Sequence, residues 1–150
     1  LSDREFNAGE KTLLLVCEFG EEEYDTQGFE GTEVFVEEVD SPEMLSQKYL
    51  SSLEKKYKID RVLIEYNGMW DLKAFLDITM PKGWYIANIF SLVDAGTYEI
   101  YLKNMRQTLM NPLSVSDVIL FNRCVDGFQK GKIRRSLKIL NTGTNRVIDT

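Results

Sequence analysis

The sequence predicts an α/β fold, arranged as a three-layer sandwich on a mainly parallel sheet. Short apolar runs of strand length alternate along the chain with longer segments whose apolar residues recur at helical spacing. Strands that alternate with helices are joined by right-handed crossovers, which make neighbouring strands parallel. The chain has 150 residues and no recognisable linker, so we expect a single domain over residues 1–150.

The first half of the chain opens with the clearest strand. Residues 11–17 (KTLLLVC) are continuously apolar, which is typical of a strand buried on both faces. Residues 33–37 alternate with period two and predict a strand exposed on one face. Ser41, Pro42 and Glu43 favour a helix start as N-cap, first helical residue and first-turn acid. The inward residues of that helix are spaced at helical intervals: Leu45, Tyr49, Leu50, Leu53 and Tyr57.

The second half continues the alternation of strands and helices. We expect strands at residues 62–65, 84–94, 117–121 and 146–148. We expect helices at residues 71–79, 96–110 and 130–140. Asp94 is predicted to N-cap the second of these helices. The inward residues of that helix are predicted to be Tyr98, Leu102, Met105 and Leu109.

Composition argues against several kinds of function. The sequence has no histidine and only two cysteines, so histidine-dependent catalysis, most zinc sites and a disulfide framework are not expected. The first 50 residues contain 14 acidic and 3 basic residues, and the remainder 10 acidic and 15 basic ones. The net charge of −6 argues against nucleic-acid binding. No apolar run approaches the ~20 residues of a membrane span, and we expect a cytoplasmic protein with no membrane partner.

Two predicted buried strands carry polar groups at their carboxyl ends. Residues 61–68 (RVLIEYNG) include Glu65 and Gly68, and residues 117–123 (DVILFNR) end on Asn122 and Arg123. In an open parallel sheet, groups at this edge line the crevice that binds a nucleotide. No Gly-x-x-x-x-Gly-Lys-Ser/Thr phosphate-binding loop occurs in the sequence. Because the chain also begins at Leu1 and not at an initiator methionine, we expect it to be a piece of a longer protein or a processed protein.

Five short segments, in order along nearly the whole chain, resemble motifs of the CobW-like GTPases, a branch of the P-loop NTPases. In that family an N-terminal P-loop holds the phosphates and magnesium, a switch loop follows, an acid ends the Walker B strand, and an Asn-Lys-x-Asp element reads guanine. The fold that the resemblance implies is P-loop NTPase-like and incomplete at the N-terminus. The matching segments are 16–20 (VCEFG) with Asp25, 62–68 (VLIEYNG), 92–95 (LVDA), 117–123 (DVILFNR) and 140–141 (LN).

The resemblance implies catalytic roles for the first of the two strand ends. Glu65 matches the Walker B acid, which binds magnesium through a water, and Gly68 matches the glycine that lets the next loop approach the terminal phosphate. Glu18 and Asp25 match the switch loop, although Cys17 stands where the family has asparagine. The alternatives are that Glu65 is a strand-end carboxylate paired with a lysine or arginine, and that Glu18 and Asp25 belong to a simple acidic loop.

The resemblance implies a nucleotide-binding role for the second strand end. Asn122 would hydrogen-bond the purine, Arg123 would lay its guanidinium plane along the base, and Asp126 would select guanine. The family has lysine where Arg123 stands and places its acid one residue earlier than Asp126, so the choice between guanine and adenine stays open. The alternative is a polar turn that leaves a strand.

The function implied is that of a GTP-binding and GTP-hydrolysing domain with magnesium as cofactor. Both ligands need an upstream P-loop, so we expect little activity from these residues alone. The partners implied are a nucleotide and a metalloprotein or cofactor-dependent client. The family's Cys-x-Cys-Cys metal element has no counterpart in residues 26–60. Two other readings stay open: a non-catalytic interaction module that docks a partner through its acidic flank or the basic helix at 130–138, and a flavodoxin-like or response-regulator-like domain.

Overall fold

The computed structural model describes residues 9–18, 20, 24, 32–124, 130–140 and 146–149. The chain divides into two compact units, Leu1–Trp84 and Tyr85–Thr150, here called the first unit and the second unit. Each contains a three-stranded sheet, and every described strand pair is parallel. The predicted α/β class is therefore confirmed, whereas the three-layer arrangement stays a prediction.

The sheet of the first unit has the order β2-β1-β3. Its strands are β1 (Lys11–Val16), β2 (Glu33–Glu38) and β3 (Arg61–Glu65). The central position of β1 explains its unbroken apolar sequence, because residues on both of its faces are buried. β3 lies at an edge of the described sheet and Leu63 is exposed, so the expectation that this strand is buried is wrong.

The helix after β2 begins later than predicted. Ser41 makes no capping hydrogen bond, and Pro42–Met44 form only a short 3-10 helix. The chain leaves helical geometry at Leu45, with φ −71° and ψ 68°, and buries that side chain in the core. Ser46 then caps helix α1 (Gln47–Tyr57), since its hydroxyl accepts a hydrogen bond from the Tyr49 N–H at 3.3 Å.

The core of the first unit lies between one face of the sheet and α1. Leu50 and Leu53 of α1 are buried there as predicted. Helix α2 (Leu72–Leu76) is shorter than predicted and has Asp71 as its N-cap. Trp70 and Trp84 pack against this core. The buried residues of this core are Leu13, Leu15, Cys17, Val39, Leu45, Leu50 and Leu53.

A charged and aromatic cluster fastens α1 to β2. The Glu37 carboxylate accepts a hydrogen bond from Lys56 Nζ at 2.7 Å and another from the Tyr57 hydroxyl. The Phe35 ring stacks on Tyr57 with ring centroids 4.4 Å apart. The hydrogen bonds from Lys56 and Tyr57 lower the pKa of Glu37, because they favour the charged carboxylate.

The sheet of the second unit follows the chain order β4-β5-β6. Its strands are β4 (Phe90–Asp94), β5 (Val118–Asn122) and β6 (Arg146–Asp149). The predicted strand at 84–94 begins six residues late. Residues 81–84 form a turn closed by a Trp84 N–H to Pro81 carbonyl bond of 3.0 Å, and residues 85–89 are not yet part of a strand.

The helices of the second unit differ from prediction at one point. In place of the predicted helix at 96–110 there are two helices, α3 (Tyr98–Asn104) and α4 (Arg106–Val115), which are separated at Met105 by φ −135° and ψ 43°. Tyr98 is buried and Leu102 and Leu109 pack against the core as predicted. The Met105 side chain is exposed and not inward, because the helix is interrupted at that residue. Helix α5 (Lys130–Leu140) has the predicted bounds. None of the described helices is long and apolar enough to cross a membrane.

The two faces of the second sheet are unlike. One face carries the core, which consists of Val93, Tyr98, Leu113, Ile119, Phe121, Ile133 and Leu137. Beside it, the buried Ser91 and Ser116 hydroxyls lie 2.6 Å apart, and Ser116 donates to the Pro112 carbonyl at 2.8 Å. Strand alternation places Phe90 and Leu92 on the other face, where they are 59% and 75% exposed.

Candidate functional site

The carboxyl ends of β1 and β3 are joined in the first unit. Val16 and Glu65 are register partners, and the Cys17 N–H donates to the Glu65 carbonyl at 3.0 Å. The Asn67 side-chain amide then donates to the Cys17 carbonyl at 3.2 Å. These bonds fix the backbone on which the Glu65 side chain is carried.

The Glu65 carboxylate is exposed and is held by a tyrosine. The Tyr24 hydroxyl donates to Glu65 Oε2. That hydrogen bond, helped by burial and by the charge of Glu65, raises the pKa of Tyr24 to about 12. Among the described residues, no lysine or arginine forms an ion pair with Glu65. The alternative that Glu65 pairs with a lysine or arginine is therefore not seen among the described residues. Its partner is instead the neutral phenol of Tyr24.

Cys17 lies beside Glu65 but is not poised for chemistry. It is buried and forms no disulfide. Burial, together with the charge of Glu65, raises the pKa of the Cys17 thiol to about 11. The thiol is consequently protonated at neutral pH and is a poor nucleophile or metal ligand.

The loop after Glu65 is shaped by side-chain hydrogen bonds. Asn67 Oδ1 accepts from the Met69 N–H at 2.9 Å, and the Asn67 carbonyl accepts from the Trp70 N–H at 3.0 Å. Gly68, at the tip of this turn, is exposed, and a Cβ placed on it would meet no atom of the described residues within 4 Å. Open space at Gly68 allows a ligand to approach the loop, although local geometry does not require glycine there.

The remaining residues predicted for this edge can be placed only in part. Glu18 is exposed just after β1. Asp25, like Asp126 of the predicted base-reading element, lies outside the described residues. Within the part of the chain that the structure describes, no three histidine, cysteine, aspartate or glutamate side chains lie together to hold a metal ion.

The carboxyl ends of β4 and β5 meet in the second unit. Asp94 and Asn122 are register partners, and the Ala95 N–H donates to the Asn122 carbonyl at 2.9 Å. Asn122 Oδ1 accepts from the Arg123 N–H at 2.7 Å. Arg123 has a left-handed backbone with φ 55°, a conformation that costs roughly 1–2 kcal/mol for residues other than glycine.

Asp94 has a larger role than the helix cap that the sequence suggests. Its Oδ1 accepts from the N–H groups of Gly96 at 2.8 Å and Thr97 at 3.3 Å, which closes the turn after β4. The formal N-cap of α3 is Thr97, so the predicted capping position is wrong. Asp94 Oδ2 accepts from Arg123 Nη1 at 3.0 Å. Asp94 thus connects the turn after β4 to the residue after β5.

Three residues that the sequence interpretation left without a site role are central to these edges. Tyr24 lies within an acidic run, and nothing in that run indicates that its hydroxyl bonds Glu65. Asn67 precedes glycine in an Asn-Gly pair, which is a turn signal. Asp94 ends a predicted strand, and its pairing with Arg123 depends on strand register, which one sequence does not specify.

The two edges differ in chemistry. The first unit offers an exposed carboxylate beside an open loop, which suits binding of a hydrated cation. The second offers an amide and a guanidinium that is 78% exposed, which suits a planar polar group. Comparisons of the chain with protein-family models, with curated proteins and with solved structures found no match.

Proposed function

We propose that these residues are the carboxyl-side part of the nucleotide-binding domain of a CobW-like GTPase, which hydrolyses GTP to GDP and phosphate. The observation that carries the proposal is the exposed Glu65 carboxylate at the carboxyl end of a parallel strand, next to the open turn at Gly68. Nucleotide-binding α/β proteins place their polar groups at this edge.

The first-unit edge, considered by itself, would act on nucleotide phosphates. Magnesium, when bound with GTP, would neutralise charge on the phosphates. Glu65 would hold a water of the magnesium shell through its second carboxylate oxygen, to which no described residue bonds while Tyr24 occupies Oε2. One carboxylate fits an ion that keeps several waters and takes its other ligands from phosphates. Gly68 would admit the terminal phosphate, and Glu18 and Asp25 would respond to it.

The second-unit edge, considered by itself, would bind a purine base. The Asn122 amide group would hydrogen-bond the purine, and the Arg123 guanidinium would lie along its plane. Asp126 would accept from the guanine donors that adenine lacks. The exposure of both Asn122 and Arg123 supports these roles, because each polar group can reach a ligand.

The exposed apolar face of the second sheet supports the finer fold proposal. Phe90, Leu92 and Ile148 are exposed on strands of a parallel sheet. Parallel sheets are ordinarily covered on both faces. A three-layer, P-loop NTPase-like domain would cover this face with a further layer.

The phosphate-binding loop would come from sequence upstream of Leu1. Without its backbone amides and lysine, much of the transition-state charge stabilisation is missing. We therefore expect the 150-residue chain alone to bind Mg-GDP weakly and to hydrolyse little GTP. The full protein would act in the cytoplasm on a metalloprotein or cofactor-dependent client.

The test begins with the parent gene and continues with kinetics of the longer protein. An apolar strand followed by Gly-x-x-x-x-Gly-Lys-Ser/Thr within ~40 residues of Leu1 is expected. In that protein, Glu65→Gln should lower kcat for GTP about 100-fold with little change in KM. Glu43→Gln, at an exposed carboxylate of the 3-10 helix, is the matched control. No phosphate-binding loop, or wild-type turnover by Glu65→Gln, would contradict the proposal.

A non-catalytic docking module is the second candidate. Helix α5 contains five basic residues and no acidic one, while Ile133 and Leu137 face the core and Arg135 and Lys138 are exposed. Such a face could dock an acidic partner. Absence of the upstream loop, together with no Mg-GDP binding by the longer protein in calorimetry, would favour this candidate.

A further inference from the structure

Arg123 stands out because its backbone conformation has no helix-ending explanation. Two described residues other than glycine have positive φ, Lys58 and Arg123. Lys58 ends α1 as a left-handed cap, and its N–H donates to the Glu54 carbonyl at 2.8 Å. Arg123 instead follows a strand. Strained backbone that persists outside caps is often found at functional positions.

Two side chains hold Arg123 in this conformation. Asn122 Oδ1 accepts its backbone N–H at 2.7 Å, and Asp94 Oδ2 accepts its Nη1 at 3.0 Å. The Asp94 side chain is 32% exposed and the Arg123 side chain 78%. The Asp94 carboxylate is therefore partly buried, whereas the Arg123 guanidinium that it binds is mostly in solvent. The plane of the guanidinium remains accessible to a ligand.

Asp94 is itself rigidly placed. Its second oxygen is occupied by the N–H groups of Gly96 and Thr97, so the carboxylate cannot rotate without opening that turn. A surface ion pair between two mobile side chains contributes little. Here one partner is fixed by backbone hydrogen bonds, and the pair can set the direction of the other.

We infer that Asp94 is a positioning residue that aims the Arg123 guanidinium at a purine base bound at the second-unit edge. The inference rests on the proposed function, and it adds a residue to which the family motifs assign no role here. Asp94 would act through Arg123 without touching the ligand. The guanidinium would stack on the base, so that the contribution of Asp94 to affinity depends on a base being present.

The test compares GDP with inorganic pyrophosphate, which lacks the base, in calorimetric titrations of the longer protein with magnesium. Asp94→Asn and Arg123→Ala should each raise Kd for GDP about tenfold and leave Kd for pyrophosphate unchanged. The double variant should bind GDP no more weakly than Arg123→Ala, because Asp94 acts only through Arg123. Glu99→Gln, at an exposed acid of α3, should bind both ligands as the wild type does.

Three results would overturn the inference: GDP affinity of Asp94→Asn within twofold of wild type, equal loss of GDP and pyrophosphate affinity, or a further loss from Asp94→Asn in the Arg123→Ala background. Failure of the proposed function is separate, since the wild-type protein would then bind neither ligand, and the inference would fall with it. Arg123→Lys, which keeps the charge without the planar group, should also weaken GDP binding and guards against a result that reflects misfolding of Asp94→Asn.

Discussion

The two units use the same elements but treat a strand-end acid differently. In the first unit Glu65 is held by the phenol of Tyr24 and remains an exposed carboxylate. In the second unit Asp94 is tied to two backbone N–H groups and to the guanidinium of Arg123. The first arrangement presents negative charge to solvent, and the second compensates it and presents a cation. An acid at the end of a strand therefore acquires its chemistry from its neighbours.

The two sheets also differ in how far the face opposite the core is buried. In the first unit the central strand β1 is buried on both faces and the edge strand β3 exposes Leu63, which is 38% exposed. In the second unit the edge strand β4 exposes Phe90 and Leu92 much more fully, at 59% and 75%. Two phenylalanines of the second unit provide the strongest test. Phe121→Ala should cost about 3–5 kcal/mol of unfolding free energy through loss of contacts and a cavity.

In the 150-residue chain by itself, the matched change Phe90→Ala should cost about 0.5 kcal/mol, because that side chain is already 59% exposed. Chemical denaturation followed by circular dichroism measures both. Equal losses from the two variants would mean that the face carrying Phe90 is covered in the folded protein, and the contrast between the units would disappear.

Buried hydroxyl groups sharpen the comparison at a smaller scale. In the second unit, Ser116→Ala should cost about 1–3 kcal/mol, since the buried Ser91 hydroxyl then loses its partner at 2.6 Å. In the first unit, the fully buried Thr12 hydroxyl has no hydrogen-bond partner among the described residues. Thr12→Val should therefore leave stability unchanged or raise it. Thermal unfolding of both variants tests this, and a large loss from Thr12→Val would reveal a partner for that hydroxyl.

The tyrosines of the two units should respond differently to loss of a single charge. The pKa of Tyr24 is raised to about 12, chiefly by its hydrogen bond to Glu65, and that of Tyr98 is raised chiefly by burial. Glu65→Gln should return the pKa of Tyr24 towards its ordinary value near 10 and leave that of Tyr98 unchanged. Nuclear magnetic resonance titration of labelled tyrosine rings measures both pKa values. An unchanged pKa of Tyr24 in Glu65→Gln would show that its hydrogen bond to Glu65 does not raise that pKa.

The smallest effect is expected in acid, at the cluster that joins α1 to β2. The pKa of Glu37 is lowered in the folded state by Lys56 and Tyr57. Its contribution to stability is therefore present above its ordinary value near 4.5 and is lost as pH falls through the lowered folded value. Glu37→Gln should therefore lose less unfolding free energy than the wild type when the pH falls below about 4.5. Glu43→Gln serves as control, and identical pH profiles for wild type and Glu37→Gln would contradict the role of the cluster.

Much of the local structure could be predicted from the sequence. The apolar run at residues 11–17 is a central parallel strand, and the basic segment Lys130–Leu140 is a helix whose Ile133 and Leu137 are buried. Errors occurred where a local signal competed with packing. Ser41 and Pro42 signal a helix start, but burial of Leu45 moves the start to Ser46.

The site was predictable in position but not in its contacts. Sequence alone determined that Glu65 and Asn122 end strands, because apolar periodicity marks the strand and the first polar residue marks its end. Only the tertiary structure decided that the strands divide between two sheets, that Tyr24 bonds Glu65, and that Asp94 holds Arg123. Those contacts join residues 41 and 29 positions apart, and their formation depends on strand register and loop path, to which no local pattern is sensitive.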